Sequence, residues 1–519
     1  MTDRHEAGSG TTDDDDTGSG NSASDNVGGD NVGTGGWAQL AGRELPTWYD
    51  DVKLGVFIHW GPCSVPRWAP RVPDIQELIR DGGPRRMLRE NPYAEWYSNT
   101  MKIPGSPTAE HHARTYGPDY GYHRFAEQFT AEAETADVDQ IAELAAASGA
   151  GYVVLTTKHH DGYTLWPSAH PHPRLGSYGA GRDLVGAVDA AVRARGMRTG
   201  LYYSGGYDWP FNDATLTGPA DMLLAMPDDP AYAVYAENHV RELIERYQPS
   251  ILWNDIGWPA ATDLAALFAA YYAAVPDGVV NDRWAQTDLP RGGATEAVLR
   301  GLGRLAQLAW KLLPSGSREL TFPASPHHDF TTPEYASYEE IADKKWETVR
   351  GVGHSFAANR NEDPADIVTA HELVHLLVDV VSKNGNLLIG VGPLPDGSIP
   401  PEQQEPLRAL GRWLHENGSA IRGSRPWDQP SATAGDGTPL RFTRTGDDLN
   451  VITLGTPTAS ELVLPGLVAG PGARALLVST GLELEVGGSD DDVRVLLPGR
   501  LPVSPAHVVR LSGQVRLGS

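Results

Sequence analysis

Between Trp37 and about Pro426, short continuous apolar runs alternate with segments of helical period. Gly55–Ile58, Tyr152–Thr157, Thr199–Tyr203, Ile251–Trp253, Val279–Val280 and Leu387–Gly390 read as strands buried on both faces. Val138–Ser148, Leu184–Arg195, Tyr232–Gln248 and Ala370–Ser382 read as the helices between them. Strands without a polar face, interleaved with amphipathic helices, predict a parallel sheet covered on both sides. This many units predicts a closed (β/α)8-type, TIM-like barrel in the α/β class rather than an open sheet.

Past Trp427 the pattern changes to short alternating stretches, Leu449–Leu454, Glu461–Leu464, Arg474–Val478 and Val493–Leu497, punctuated by Gly and Pro. Period two with frequent turns predicts a small antiparallel β-sandwich. At the other end, residues 1–36 are mostly Gly, Ser, Thr, Asn and Asp, with an acidic run Asp13–Asp16, and hold too few apolar groups to offset the entropy of ordering. The chain therefore divides into an acidic disordered tail (1–36), a catalytic barrel (37–427) and a C-terminal β-sandwich (428–519).

Charge narrows the partners. A formal net charge of −25 over 519 residues opposes approach to nucleic acid or an anionic membrane surface. The one cysteine, Cys63, excludes an internal disulfide and reads as a small buried residue. No apolar window approaches the roughly 18 residues of a membrane span, and residues 1–36 lack the basic and apolar regions of a signal peptide, so the expected location is the cytoplasm. In that compartment the glycosylation sequon at Asn417 carries no weight.

The polar residues at the strand ends carry the chemistry. His59-Trp60, Lys158-His159-His160-Asp161, Ser204-Gly205-Gly206, Asn254-Asp255 and Asn281-Asp282-Arg283 each follow a predicted strand, and in a barrel they converge on one face. Three histidines, several aromatic rings, at least two carboxylates and an arginine in one mouth describe a sugar site. Rings cover the apolar face of a pyranose, while imidazole, carboxylate and guanidinium groups bond its hydroxyls. Two carboxylates are what glycoside cleavage requires.

Seven segments, in order, resemble the α-L-fucosidases of glycoside hydrolase family 29: Phe57-Ile58-His59-Trp60-Gly61, Tyr93-Ala94-Glu95-Trp96-Tyr97, Lys158-His159-His160-Asp161-Gly162, Leu201-Tyr202-Tyr203-Ser204, Leu252-Trp253-Asn254-Asp255, Asn281-Asp282-Arg283-Trp284, and Ser382-Lys383-Asn384-Gly385-Asn386-Leu387-Leu388. The resemblance implies a retaining exo-hydrolase of terminal α-L-fucosyl residues on oligosaccharides or glycosides, with no metal or organic cofactor. It implies Asp255 as nucleophile. Asp329-Phe330-Thr331-Thr332-Pro333-Glu334-Tyr335 resembles the broader-specificity subgroup and implies Glu334 as acid/base, with Glu339, Glu340 and Glu362 left as rival acids. His59, Glu95, Trp96, His159, His160 and Arg283 are implied as contacts to fucose, and Tyr93, Tyr202 and Trp253 as walls. Because adjacent strand residues face opposite sides, only one of Tyr202 and Tyr203 can face the site, and Tyr202 is the choice.

Other features compete or depart. His371-Glu372-Leu373-Val374-His375 has the zincin spacing of a zinc peptidase, but it runs directly into the Ser382–Leu388 match and no third ligand follows it. A fucose-binding protein without turnover is the other alternative, and the presence of both Asp255 and Glu334 speaks against it. Between Trp284 and Asp329 the chain is longer than the resemblance leads one to expect and contains a helix, roughly Thr295–Leu313. Its apolar stripe is Val298, Leu302, Leu305, Ala309 and Leu312, and its basic residues are Arg300, Arg304 and Lys311. That helix is a candidate lid or subunit contact, which leaves a homo-oligomer open. Arg67–Asn91 follows a strand end and is placed to narrow the mouth. Ser419 stands where the family often has an acid.

Overall fold

The computed structural model describes residues 34–289, 292–314, 323–488, 492–499 and 501–518. The predicted tail lies outside these except at its end, where Thr34–Leu40 is helical. Seven parallel strands form the first sheet: β1 (Leu54–Ile58), β2 (Tyr152–Lys158), β3 (Arg198–Ser204), β4 (Ile251–Asp255), β5 (Val279–Val280), β6 (Trp346–Gly351) and β7 (Gly385–Val391). Their order is β5-β4-β3-β2-β1-β7-β6.

Six of these follow the apolar runs. β6 was not legible, because Glu347 and Arg350 interrupt its apolar residues and the rule for a strand buried on both faces passes it over. Between β5 and β6 the barrel is closed by an irregular segment with parallel bridges Asn281 to Phe330, Thr331 to Trp346 and Glu334 to Val349. Backbone bonds continue the ladder: Asp329 N–H donates to Val280 O, and Glu347 N–H to Thr331 O. The eighth stave is thus too irregular to read as a strand, and it carries Glu334.

Side-chain alternation sorts the strands into two cores. Val56, Ile58, Val153, Leu155, Leu201, Tyr203 and Leu252 face the surrounding helices. Phe57, Tyr152, Val154, Tyr202, Ile251, Trp253 and Leu388 fill the interior. Room for the interior rings comes from residues without side chains: a Cβ on Gly55 would lie 2.2 Å from the Tyr152 ring.

Two buried ionic features brace the interior. Lys158 Nζ, fully buried, donates to Ser204 O at 3.0 Å and to Asp208 Oδ2 at 3.1 Å, and Asp208 also meets His172 at 3.1 Å. Removing one member of a buried pair strands the other's charge. Lys158→Met is expected to lower unfolding free energy by about 3–5 kcal/mol, read from urea titrations; a loss below about 1 kcal/mol, the scale of a surface pair, would contradict this account.

The second feature is Glu347, inside the barrel, which accepts from Tyr49, Tyr152 and Trp253. Burial pushes its carboxyl up to about 7 despite those donors, against 4.5 unperturbed. The folded state therefore holds a proton that the unfolded chain has lost between those values. This contribution to stability is complete below about pH 4.5 and is lost as pH rises through 7. Relative to the parent, Glu347→Gln should become progressively more stable across that window in denaturation titrations; parallel curves would refute the assignment.

The C-terminal part is antiparallel, with a six-stranded sheet from Arg425–Thr433 to Leu482–Leu484, a three-stranded sheet and a two-stranded one around their own core. It rests on the last barrel helices: Trp413 Nε1 donates to Ala506 O at 2.9 Å, and Arg441 pairs with Asp379 at 2.6 Å.

Candidate active site

The side chains singled out in the sequence gather at the carboxyl ends of the strands. Asp255 is the last residue of β4 and is nearly buried. Tyr202 on β3 donates to its Oδ2 at 2.9 Å, and Arg283, two residues past Asn281, donates to its Oδ1 at 3.0 Å. Tyr203 points the other way, to His239. Tyr202 is fully buried and stacks on Trp253 at 5.4 Å, so it orients the carboxylate from beneath and forms part of the floor.

Arg283 joins the two carboxylates. Its Nη1 serves Asp255, its Nη2 lies 3.3 Å from Glu334 Oε2 and 2.9 Å from Thr332 O, and its Nε donates to Thr332 Oγ1. Asp282 accepts from the Thr332 backbone and hydroxyl, fixing the loop that presents Glu334. Burial opposes the guanidinium charge, but Asp255, Glu334 and Asp282 raise its pKa, so it stays cationic. It also lies 5.0 Å over the Trp253 ring.

Glu334 receives a bond from the Tyr93 hydroxyl through Oε1, and its carbonyl accepts from Gln76 Nε2 at 2.9 Å. Gln76 belongs to the helix Ile75–Arg89, so the segment 67–91 does reach the mouth. The rivals are placed otherwise. Glu362 accepts backbone bonds from His354 and Ser355, and Glu339 and Glu340 are exposed.

The three histidines form one wall. His59 and His159 lie 5.8 Å apart, and His159 and His160 are 4.0 Å apart. His160 bonds Ser204 Oγ at 2.6 Å through Nδ1, which turns Nε2 to 3.7 Å from Asp255 Oδ2. Burial holds all three imidazoles well below their ordinary pKa, helped by neighbouring histidines and Lys158. Neutral rings can each donate and accept, as a row of sugar hydroxyls requires. The Nδ1 atoms of His59 and His159 are buried with no hydrogen-bond partner among the described residues.

Glu95 accepts from Ala357 N–H at 3.0 Å and Ser355 Oγ at 3.2 Å. Burial raises its carboxyl to about 7, so near neutrality it can donate a hydrogen bond as well as accept one. Trp96 stands edge-on to His160 at 5.3 Å. His59, Glu95 and His159 line a small cavity together with Trp60, Cys63 and Asp161. A larger cleft, lined by Gly205, Gly206, Trp258 and Asp288, contains neither carboxylate and is set apart from this chemistry.

Sequence reasoning missed the contributors from the loop after β6 and from the closing segment. Phe356 packs at 5.0 Å on His59 and 5.3 Å on Tyr93, and Tyr335 stacks on Tyr93 at 6.4 Å. Phe356 follows a strand that was not read. Tyr335 adopts φ 49°, a conformation no local pattern announces. The HExxH motif is used structurally: Glu372 completes a capping box with Thr369, and His375 Nε2 donates to Pro505 O at 2.8 Å.

The alpha-L-fucosidase family profile matches residues 27–311 and 316–419, so most of the helix that length alone set apart falls inside the matched region. Tissue alpha-L-fucosidase of Bos taurus is 30% identical over 495 residues, spanning 92% of this chain and 90% of its own length. Alpha-L-fucosidase of Dictyostelium discoideum is 28% identical over 488 residues, spanning 90% and 92%. Among solved structures, the Thermotoga maritima alpha-fucosidase in complex with a mechanism-based inhibitor matches with a TM-score of 0.76 at 38% identity, over 92% of this chain and 98% of that one.

Proposed function

This chain belongs to the α-L-fucosidase family, glycoside hydrolase family 29, and we propose that it releases terminal α-L-fucosyl residues with retention, Asp255 acting as nucleophile and Glu334 as acid/base. The observation that carries the reading is one guanidinium, Arg283, hydrogen-bonded to both carboxylates. That arrangement brings the two carboxylates to one guanidinium beside an aromatic floor, as a pair acting on one glycosidic bond requires.

In the first step Asp255 attacks the anomeric carbon, the glycosidic C–O bond breaks, and the Glu334 proton passes to the leaving oxygen. In the second, Glu334 takes a proton from water, the water oxygen bonds the anomeric carbon, and the Asp255 ester bond breaks. Two inversions give net retention. His59, His159, His160, Glu95 and Trp96 hold the sugar, Tyr93 steadies Glu334, and Tyr202 and Trp253 form the floor beneath Asp255. The substrate is a fucosylated oligosaccharide or glycoside, with the broader specificity that the Glu334 segment suggests. Cytoplasmic residence is part of the proposal and is checked by cell fractionation.

The test is hydrolysis of 4-nitrophenyl α-L-fucoside followed by NMR. Appearance of α-L-fucose before mutarotation supports retention, and β-L-fucose as first product would refute it. The zinc peptidase reading predicts sensitivity to chelators. With Glu372 in a cap and His375 bonded to Pro505, fucoside turnover is expected to be unchanged by EDTA, measured after prolonged dialysis.

A further inference from the structure

The helix Gly293–Trp310 has two faces that answer to different neighbours. In heptad terms, Leu302 and Ala309 occupy a positions and Val298 and Leu305 d positions, a 4-3-4 spacing, and Leu312, just past the helix end, continues the row. The side facing the barrel is the opposite one, at b and f. Arg300 pairs with Asp221, Gln307 Nε2 donates to Gly82 O at 3.1 Å, and Trp310 Nε1 donates to Ile79 O at 2.9 Å. A Cβ on Gly303 would lie 3.2 Å from Ala220.

The seam faces solvent. Val298, Leu302, Leu305 and Leu312 are 60%, 57%, 63% and 86% exposed, and Leu308 beside the row is 70% exposed. Elsewhere among the described residues, exposed large apolar side chains such as Leu175, Val234 and Val503 are scattered singly. A contiguous apolar row of this kind on a water-facing helix marks a contact surface.

We propose that this row is the contact between two copies of the chain, packed helix against helix. Charge selects the occupant. The molecule carries −25 overall, yet with Arg300 paired to Asp221 the exposed charges of this stretch are Arg304 and Lys311 against Glu296, so local positive charge offsets part of the repulsion between two net-negative copies. The positions flanking the seam, Leu299, Gly301, Ala306 and Leu308, are uncharged, so a copy meeting its like sets no equal charges together. A self-complementary surface closes into a two-fold dimer. The 3.5-residue spacing suits another helix, whereas a bilayer surface calls for a broader apolar face rimmed with Lys and Arg.

Sedimentation velocity on the full chain, across concentrations up to the tens of micromolar, tests this. The parent is expected to sediment as a dimer. Leu302→Glu combined with Leu305→Glu should sediment as a monomer and keep fucoside turnover within about two-fold, which also reports an intact fold. Should the glutamates prevent folding, Leu302→Ser with Leu305→Ser is the gentler version, expected to weaken the dimer at least ten-fold. A parent that is monomeric at every concentration, or a dimer that survives the substitutions, overturns the proposal. A monomeric parent that co-sediments with phosphatidylserine vesicles overturns it in favour of a lipid surface.

Discussion

Replacing Asp255 by glycine is expected to lower kcat for 4-nitrophenyl α-L-fucoside by roughly 10⁴-fold or more, the scale on which loss of a nucleophile is felt. That corresponds to about 5 kcal/mol of transition-state stabilisation. The other parts of the site remain: Arg283 stays tied to Thr332 and Glu334, and Tyr202 stays stacked on Trp253. Binding of fucose should therefore survive within an order of magnitude, so the loss falls on kcat rather than KM. Azide, small enough to occupy the space of the missing carboxylate, should restore release of nitrophenol and yield β-L-fucosyl azide, identified by NMR. An Asp255→Gly variant that retains more than a few per cent of activity would remove this residue from the mechanism.

The second large effect is at Glu334. Glu334→Ala loses a general acid and a general base, each worth on the order of 10²–10⁴-fold. Its signature differs from that of Asp255. Nitrophenol needs little protonic help to leave, so the aryl fucoside should form the glycosyl-enzyme and then stall, whereas fucosyl disaccharides with sugar leaving groups should lose the most. Azide should here attack the glycosyl-enzyme without needing a base, and the product should be α-L-fucosyl azide, opposite to that of the Asp255 variant. Formation of the β-azide by both variants would show that the roles are wrongly divided. The same comparison on Glu362→Ala should show only a modest change, because that carboxylate holds the backbone of His354 and Ser355.

The difference in how securely the two carboxylates could be read has a structural origin. Asp255 ends a regular strand, so the apolar run Ile251–Trp253 places it at the barrel mouth directly. His59, His159 and Arg283 follow regular strands in the same way, and alternation along β3 separated Tyr202 from Tyr203. Glu334 rides on the closing segment, whose bridges to Asn281, Trp346 and Val349 involve residues distant in sequence. No local period marks it, and only the resemblance singled it out from Glu339, Glu340 and Glu362.

The sequence by itself determined the parallel barrel, the change to antiparallel strands after Trp427, and the polar residues that follow the regular strands, His59, His159, His160, Asp255 and Arg283. These rest on periods of two and 3.6 residues, which local backbone geometry imposes. Only the tertiary structure decided how the barrel closes, that Arg283 links Asp255 to Glu334, that Phe356 and Tyr335 complete the aromatic walls, and which face of the helix Gly293–Trp310 is left in water. A helical stripe of leucines has the same spacing whether it is covered or bare. A carboxylate's partner across the barrel is fixed by strand order and register, which no single segment of the chain contains.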